Sequence, residues 1–251
     1  MTGHAVAVSP HLDDDAFSAG GTLAALVDAG WRVTVVTCFT ASVADPSPFA
    51  LSTQLDKGLD ASVDYMALRR AEDVAACAVL GARPVHLPVP EAPHRGYTSA
   101  ADLLAGVHDD DGVVPLLADL LRPVLRHADL VLAPQALGDH ADHRAVAEAV
   151  VEVVEPGVPW WWRDAPYVLR RPDARPWTAV PDVRECAVGI GAQLERKIAA
   201  ARCYTTQLGF QFGGADGVGP ALRELAGPGC AEGFRVARCG GAAARAVALH
   251  A

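Results

Sequence analysis

The residues best equipped for chemistry fall in two short clusters. The first is Ser9-Pro10-His11-Leu12-Asp13-Asp14-Asp15, and the second is Gly138-Asp139-His140-Ala141-Asp142-His143-Arg144. An imidazole beside three consecutive carboxylates is costly to hold together unless a positive charge neutralises the group. His plus carboxylate is an ordinary zinc ligand set. A catalytic zinc keeps one position open for water, lowers that water's pKa towards ~7 and polarises a carbonyl. Other residues must then supply a base and hydrogen-bond donors. We read the two clusters as meeting in space and sharing one metal ion. His11 and Asp14, three apart in a turn entering a helix, can converge on that ion. Asp13 then points elsewhere and is free to act as base. Spacing does not choose between His140 and His143, which share a helix face. Asp142 can orient a histidine through its second ring nitrogen.

The elements that must position these groups are readable. Each cluster follows an apolar run, Ala5 to Val8 or Leu130 to Ala133, and opens a helical pattern, Ala16 to Ala29 or Ala145 to Val154. In an open α/β sheet such junctions lie at the carboxyl edge of the strands, where ligands bind. The strand–helix rhythm continues between them. Arg32 to Cys38 is a β-branched buried strand. Tyr65 to Leu80 is a helix stopped by Gly81, and Pro84 to Leu87 is a short strand. Val113 to His127 is a helix with Pro123 inside it, and Asp129 to Ala133 is a strand. Val188 to Tyr204 reads as a helix, and Trp160-Trp161-Trp162 as strand and core rather than a sugar platform. Residues 40–64, 88–112 and 205–219 read as loops that set specificity, the first as a candidate lid. The acidic triplet Asp109 to Asp111 reads as a solvated loop or helix cap. The last thirty residues have no assigned place. This rhythm implies one domain over residues 1–251, a Rossmann-like three-layer α/β/α sandwich with a mostly parallel sheet. Gly20-Gly21 lies inside the first helix pattern, so no dinucleotide fingerprint follows a strand.

Composition excludes several classes. Half the 251 residues are apolar (51%) and 20% are charged, enough for a large core. A formal net charge of -9 argues against a nucleic-acid-binding face and favours a neutral or cationic small molecule. No apolar run approaches the ~20 residues that span a bilayer, and no basic leader precedes an apolar stretch. The expectation is a cytoplasmic protein without a membrane partner, with homo-oligomerisation left open. The six cysteines, Cys38, Cys77, Cys186, Cys203, Cys230 and Cys239, form no Cys-x-x-Cys pair and read as incidental thiols. The histidines outside the clusters, His4, His86, His94, His108, His127 and His250, match no ligand spacing. His94 is the likeliest exception among them because it lies near Glu91.

His11-Leu12-Asp13-Asp14-Asp15 with His140-Ala141-Asp142-His143 resembles the PIG-L/LmbE-like family of zinc-dependent N-acetyl-sugar deacetylases. That family's usual motifs read His-Pro-Asp-Asp-Glu and His-Pro-Asp-His. Arg69-Arg70-Ala71-Glu72, the Glu91 to Arg95 segment and the Lys197 to Gln207 segment agree with it too, so the match runs from about residue 4 to 212. The resemblance implies Zn2+ held by His11, Asp14 and His143, a site type that also accepts Fe2+. It implies attack of zinc-bound water with Asp13 as general base. It makes His140, oriented by Asp142, the group that stabilises the oxyanion or helps protonate the amine. It makes Arg69 and Glu91 substrate contacts, and the substrate an amino sugar or glycosylated small molecule. The other readings are an amidase acting on a thiol-sugar conjugate or other C–N bond, and a non-catalytic carbohydrate-binding relative. Leu12 and Ala141 replace prolines of the motifs, and Asp15 replaces a longer glutamate. Some members carry a tyrosine just before the second motif, where this chain has Leu137-Gly138-Asp139.

Overall fold

The computed structural model describes residues 3–155, 158–177, 184–237 and 241–249; Cys239 and His250 fall outside them. In chain order come β1 (His4–Ser9), α1 (Asp14–Asp28), β2 (Arg32–Thr37), α2 (Pro48–Leu55), α3 (Tyr65–Leu80), β3 (Arg83–His86), α4 (Ala100–Leu103), α5 (Val113–Leu125) and β4 (Leu130–Pro134). Then follow α6 (Ala141–Val153), β5 (Pro159–Trp162), α7 (Tyr167–Arg170), β6 (Arg184–Gly189), α8 (Leu194–Ala201), α9 (Thr205–Phe212), α10 (Ala215–Ala226), β7 (Ala231–Val236) and α11 (Ala242–Ala246).

The strands form one sheet in the order β3-β2-β1-β4-β5-β7-β6. The first five are parallel, and β7 and β6 join antiparallel. The expected layered α/β sandwich with a mostly parallel sheet is therefore what forms. Its strands are continuous apolar runs because both faces are covered. Alternation along β1 makes this concrete: Ala5 and Ala7 belong to the core on one face, Val6 and Val8 to the core on the other. The first core takes in Phe17 and Leu23 of α1, Leu80 of α3 and Ile198 of α8. The second takes in Leu117 and Leu121 of α5 and Val146 and Val150 of α6. Trp160 and Trp162 enter the first and Trp161 the second, so the tryptophan run is core, as expected.

Several boundaries depart from expectation. The 40–64 stretch contains α2, started by Ser47, whose hydroxyl accepts from the Ala50 N–H. The 88–112 stretch holds a 3-10 turn at Ala92–His94 and then α4. The segment read as one helix over 188–204 is strand β6 followed by α8, with Gly189 and Gly191 between apolar neighbours where the chain changes form. The 205–219 stretch lies in α9 and the start of α10. Asp111 is not solvated: it pairs with Arg95 and accepts from the Tyr97 hydroxyl, and Gly112 caps α5. Cys38, Cys77, Cys203 and Cys230 are thiols, whereas Cys186 is disulfide-bonded, contrary to the reading of all six as thiols. No described helix is long and apolar enough to cross a membrane.

Candidate active site

β1 and β4 are neighbours flanking the point where the strand order reverses, so the loops leaving their carboxyl ends open side by side. After β1 the chain turns tightly. The Asp13 N–H donates to the His11 carbonyl, and the His11 N–H donates to Asp14 Oδ2 at 2.9 Å. Asp13 sits at the N-cap of α1, yet its carboxylate makes no capping hydrogen bond, so helix capping does not account for it. After β4 the loop is wound through positive φ at Ala136, Gly138 and Asp139. Strain of this kind persists where surroundings hold it. Here the Leu137 N–H donates to Asp164, and Gln135 bonds the Trp161 carbonyl.

The two clusters meet. The imidazoles of His11 and His143 lie 5.3 Å apart, centroid to centroid. Asp14 Oδ2 is 3.3 Å from His11 Nδ1 and 3.2 Å from His143 Nε2. Nε2 of His143 is buried without a hydrogen-bond partner among the described residues. These three donors lie close enough together to hold one cation, and so do those of His11, His140 and Asp142. The chemistry of the donors separates the two sets. Asp142 is already committed to the Ala92 N–H at 3.1 Å and to Arg95 at 2.9 Å, and a guanidinium on a carboxylate disfavours a metal there. The orphaned His143 nitrogen aimed at Asp14 fits a cation. The need for positive charge shows in the titration as well. Burial opposes charge on His143, but Asp14 and Asp164 outweigh it and lift its pKa to about 9. Burial works against ionised Asp14, yet His143 and His11 hold its carboxyl well below the usual range.

Each candidate ligand histidine has a carboxylate behind it. Asp142 Oδ2 lies 2.9 Å from His11 Nε2, and Asp164 Oδ1 lies 2.7 Å from His143 Nδ1. Such pairs fix the ring and its tautomer. This corrects one expectation: the carboxylate of Asp142 holds His11 rather than His140. Asp142 reaches His140 through the main chain, its N–H donating to His140 Nδ1 at 3.2 Å, with His140 the N-cap of α6. Burial, then the nearby His11 charge, pushes His140 down to about 3. Asp164 was missed by sequence reasoning. It stands just past the apolar strand β5, in the same position relative to its strand as the two clusters, but as a single carboxylate.

Asp13 lies beside the cradle, 3.4 Å from Arg69. Burial pushes its carboxyl up to about 7, with Arg69 opposing. Arg69, on α3, is itself buried and pairs with Glu91 at 2.5 Å, so it bridges two acids. Asp15 is fully buried, and neither carboxylate oxygen finds a hydrogen-bond partner among the described residues. The methylene it lacks relative to glutamate is not replaced by another contact. A cavity of about 320 Å3 opens over the cradle, lined by His11, Asp13, Asp14, Arg69, Glu91, His140, Asp142 and Tyr167. It is also lined by Phe49, Ser52 and Thr53 of α2, Leu103 of α4, and Gln207 and Phe210 of α9. Seven of the eight predicted site residues therefore face this one space, and His143 lies buried behind it against Asp14. His94 lines an adjoining cavity of about 440 Å3, which shares Glu91 and Tyr65 with it.

A sequence model of the family described as PIG-L, GlcNAc-PI de-N-acetylase, matches residues 6–154. The chain is 36% identical over 176 residues to a 2'-N-acetylparomamine deacetylase of Streptomyces fradiae, which covers 67% of this chain and 59% of that protein. It thus spans less than two thirds of that relative's length. Among solved structures, the A40926 pseudoaglycone deacetylase is 28% identical with a TM-score of 0.76, over 95% of this chain and 98% of that one. A deacetylase of teicoplanin biosynthesis is 25% identical with a TM-score of 0.80, over 92% and 96%.

Proposed function

The chain belongs to the PIG-L family, and from that premise we propose that it is a divalent-metal-dependent hydrolase removing an N-acyl group, foremost acetyl, from an amino sugar or glycosylated small molecule. The observation that carries the reading is the convergence of His11, Asp14 and His143, with a further carboxylate, Asp13, beside His11 and Asp14 on the wall of one cavity. The three relatives described above, all named as deacetylases, support it. His11, Asp14 and His143 hold the cation, with zinc the first choice for a two-imidazole, one-carboxylate set. Bound there, such a cation would supply Lewis-acid polarisation of the acyl carbonyl and a lowered pKa for water.

The chain's own groups do the rest. Asp13 takes the proton of the attacking water and passes it to the departing amine. Arg69 fixes that carboxylate from one side, and Glu91 fixes Arg69. The main-chain N–H on His140 Nδ1 leaves the neutral ring with its proton on Nε2. His140 is thereby a donor for the carbonyl oxygen or the leaving nitrogen. Arg69 and Glu91 are held by each other, so substrate hydroxyls meet a preset pair rather than two free side chains. The rim helices α2, α4 and α9 receive the acceptor, a small-molecule glycoside.

The test is amine release from a panel of N-acetylglucosamine, aryl N-acetylglucosaminides and N-acetylated aminoglycosides, with the metal assayed by mass spectrometry. Asp13→Asn is expected to lower turnover by about 10³-fold or more while bound metal stays near one equivalent per chain. Parent-level turnover in that variant would remove Asp13 from the mechanism. A metal-loaded parent inert towards the whole panel would remove the deacetylase reading.

A further inference from the structure

The adjoining cavity of about 440 Å3 takes no part in the reaction above. Helix α2 is the wall between the two spaces. Ala50 and Gln54, one turn apart, line the second cavity, whereas Phe49, Ser52 and Asp56 line the first. Thr53, Tyr65, Glu91 and Pro93 line both, so the cavities meet beside the Arg69–Glu91 pair. The wall is fixed near both ends. The Ser47 hydroxyl donates to the Pro93 carbonyl, and the Gln54 amide donates to the carbonyls of Asp60 and Val63.

Two observations define what this space would take. The first is the Gln54 side chain, only 6% exposed. Its nitrogen is used twice, but its amide oxygen accepts no hydrogen bond among the described residues. A buried acceptor without a donor, on a cavity wall, is placed for one from a ligand. The second is the balance of the remaining polar groups. The carboxylates of Asp64 and Glu91 line the cavity, together with His94. Burial outweighs Glu91 and keeps the His94 pKa below its ordinary value, so a neutral ring offers a further acceptor. The Ser42 and Thr53 hydroxyls spend their hydrogens on Asp64 and on the Ala50 carbonyl. Among the described residues no lysine or arginine lines the space. Arg69 meets Glu91 from the catalytic side, and Arg70 is engaged by Ser42 and the Thr40 carbonyl. A wall this rich in acceptors would leave them unpaired against a hydrocarbon chain and would repel an anion. It suits a ring that carries hydroxyl and ammonium donors.

We propose that the second cavity is an acceptor subsite, holding a second saccharide-like ring with hydroxyl and amino groups while the first ring presents its N-acyl group to His11, Asp14 and His143. The inference rests on the hydrolase reading above and adds that the substrate is at least two rings long. Glu91 stands at the joint between the rings. Gln54 and Asp64 accept from the second ring, and the chain length of the substrate is read by the wall that α2 makes. Nothing is made or broken in this subsite; it acts on affinity and position.

The test compares methyl N-acetylglucosaminide with N-acetylglucosamine joined 1,4 to glucosamine, glucose or glucuronate, each as α and β glycosides, on the metal-loaded protein. We expect kcat/KM for the better glucosamine conjugate to exceed that of the methyl glycoside by about tenfold or more, with glucose intermediate and glucuronate lowest. Ala61, exposed on the chain returning from α2, lines the cavity, and Ala61→Trp fills it. That variant is expected to bring the two-ring advantage to within about twofold. Asp64→Asn keeps an N-cap for α3 and removes the charge, so the preference for glucosamine over glucose should shrink while the melting temperature holds. No two-ring advantage in the parent, or one left intact by both variants, would overturn the proposal, as would a preference for glucuronate. Calorimetry with the same compounds already deacetylated keeps the result independent of turnover. Equal affinity for one-ring and two-ring amines would overturn the subsite even if hydrolysis is seen. Tighter two-ring binding by a parent that releases no amine would instead sink the hydrolase reading and leave the subsite standing.

Discussion

At the scale of single residues, the site works by giving every charged group a partner of defined direction. Asp164 illustrates it. Its two oxygens take the His143 ring and the Leu137 N–H, so one carboxylate sets a candidate ligand and the loop that carries it. Asp164→Asn keeps the shape but replaces a carboxylate with an amide of fixed polarity. We expect metal affinity, measured by chelator competition, to fall by about 10–100-fold. Unchanged affinity would mean that the ring is positioned by packing alone. Asp142 plays the equivalent part behind His11, and Arg95 holds it while binding Asp111 on its other side. Asp15 is the exception, buried with no partner for either oxygen. Burial first, then the charges of Asp73, Asp14 and Asp13, drives its pKa well above the ordinary carboxylate value.

At the scale of elements, helix α1 carries the burden, since it starts with Asp14 and packs through its glycines. Gly21 lies against Ile190: an added Cβ would fall 2.7 Å from Ile190 Cδ1 and 2.8 Å from its Cβ. That is the whole side chain, not a movable tip. Gly21→Ala is expected to cost about 1–3 kcal/mol of stability, read from denaturant unfolding. A cost within error would mean that the helix shifts freely, which the site could not tolerate. Elements of this rigid kind were the legible ones. β1, β2 and β4 announce themselves as apolar runs buried on both faces, and α3 by its Gly81 stop. α2, α4 and α9 were read as loops because each is short and buries little, its sequence being polar, Gly-containing or Pro-bounded. α10 holds Gly217, Gly219 and Pro220, all poor helix signals. β7 hides a buried Glu232 in an otherwise ordinary strand. The site divides the same way. The two clusters were legible because their ligands are dense in sequence. Asp164 and Tyr167 were not, because each is a lone residue brought over by the fold.

At the scale of the molecule, the sheet's switch point gathers His11, Asp13, Asp14, His143 and Asp164 into one small volume, and their charges must be balanced for the fold to be at its most stable. Without a cation, protons on His11 and His143 provide the balance, the pKa of each histidine being raised above its ordinary value by Asp14 and a second carboxylate although burial opposes it. A bound metal does so through linkage, stabilising by about 2.7 kcal/mol at a hundredfold excess over its Kd. Chelation is accordingly expected to lower the melting temperature by about 5–10 °C for a chain of this size, reversibly on adding zinc. No shift on chelation, with metal shown by analysis to have left, would contradict the shared-ion architecture.

The antiparallel strand β7 has a consequence of its own. Glu232 accepts from the N–H groups of Gly21 and Thr22 and from the Thr22 hydroxyl, and pairs with Lys197 at 2.5 Å. The helix that begins with Asp14 is therefore fastened by a residue more than two hundred positions later. During synthesis the first motif leaves the ribosome long before its fastener does. A nascent chain stalled short of residue 232 has both histidine clusters but lacks the carboxylate that pins the middle of α1 and leaves Lys197 without its partner.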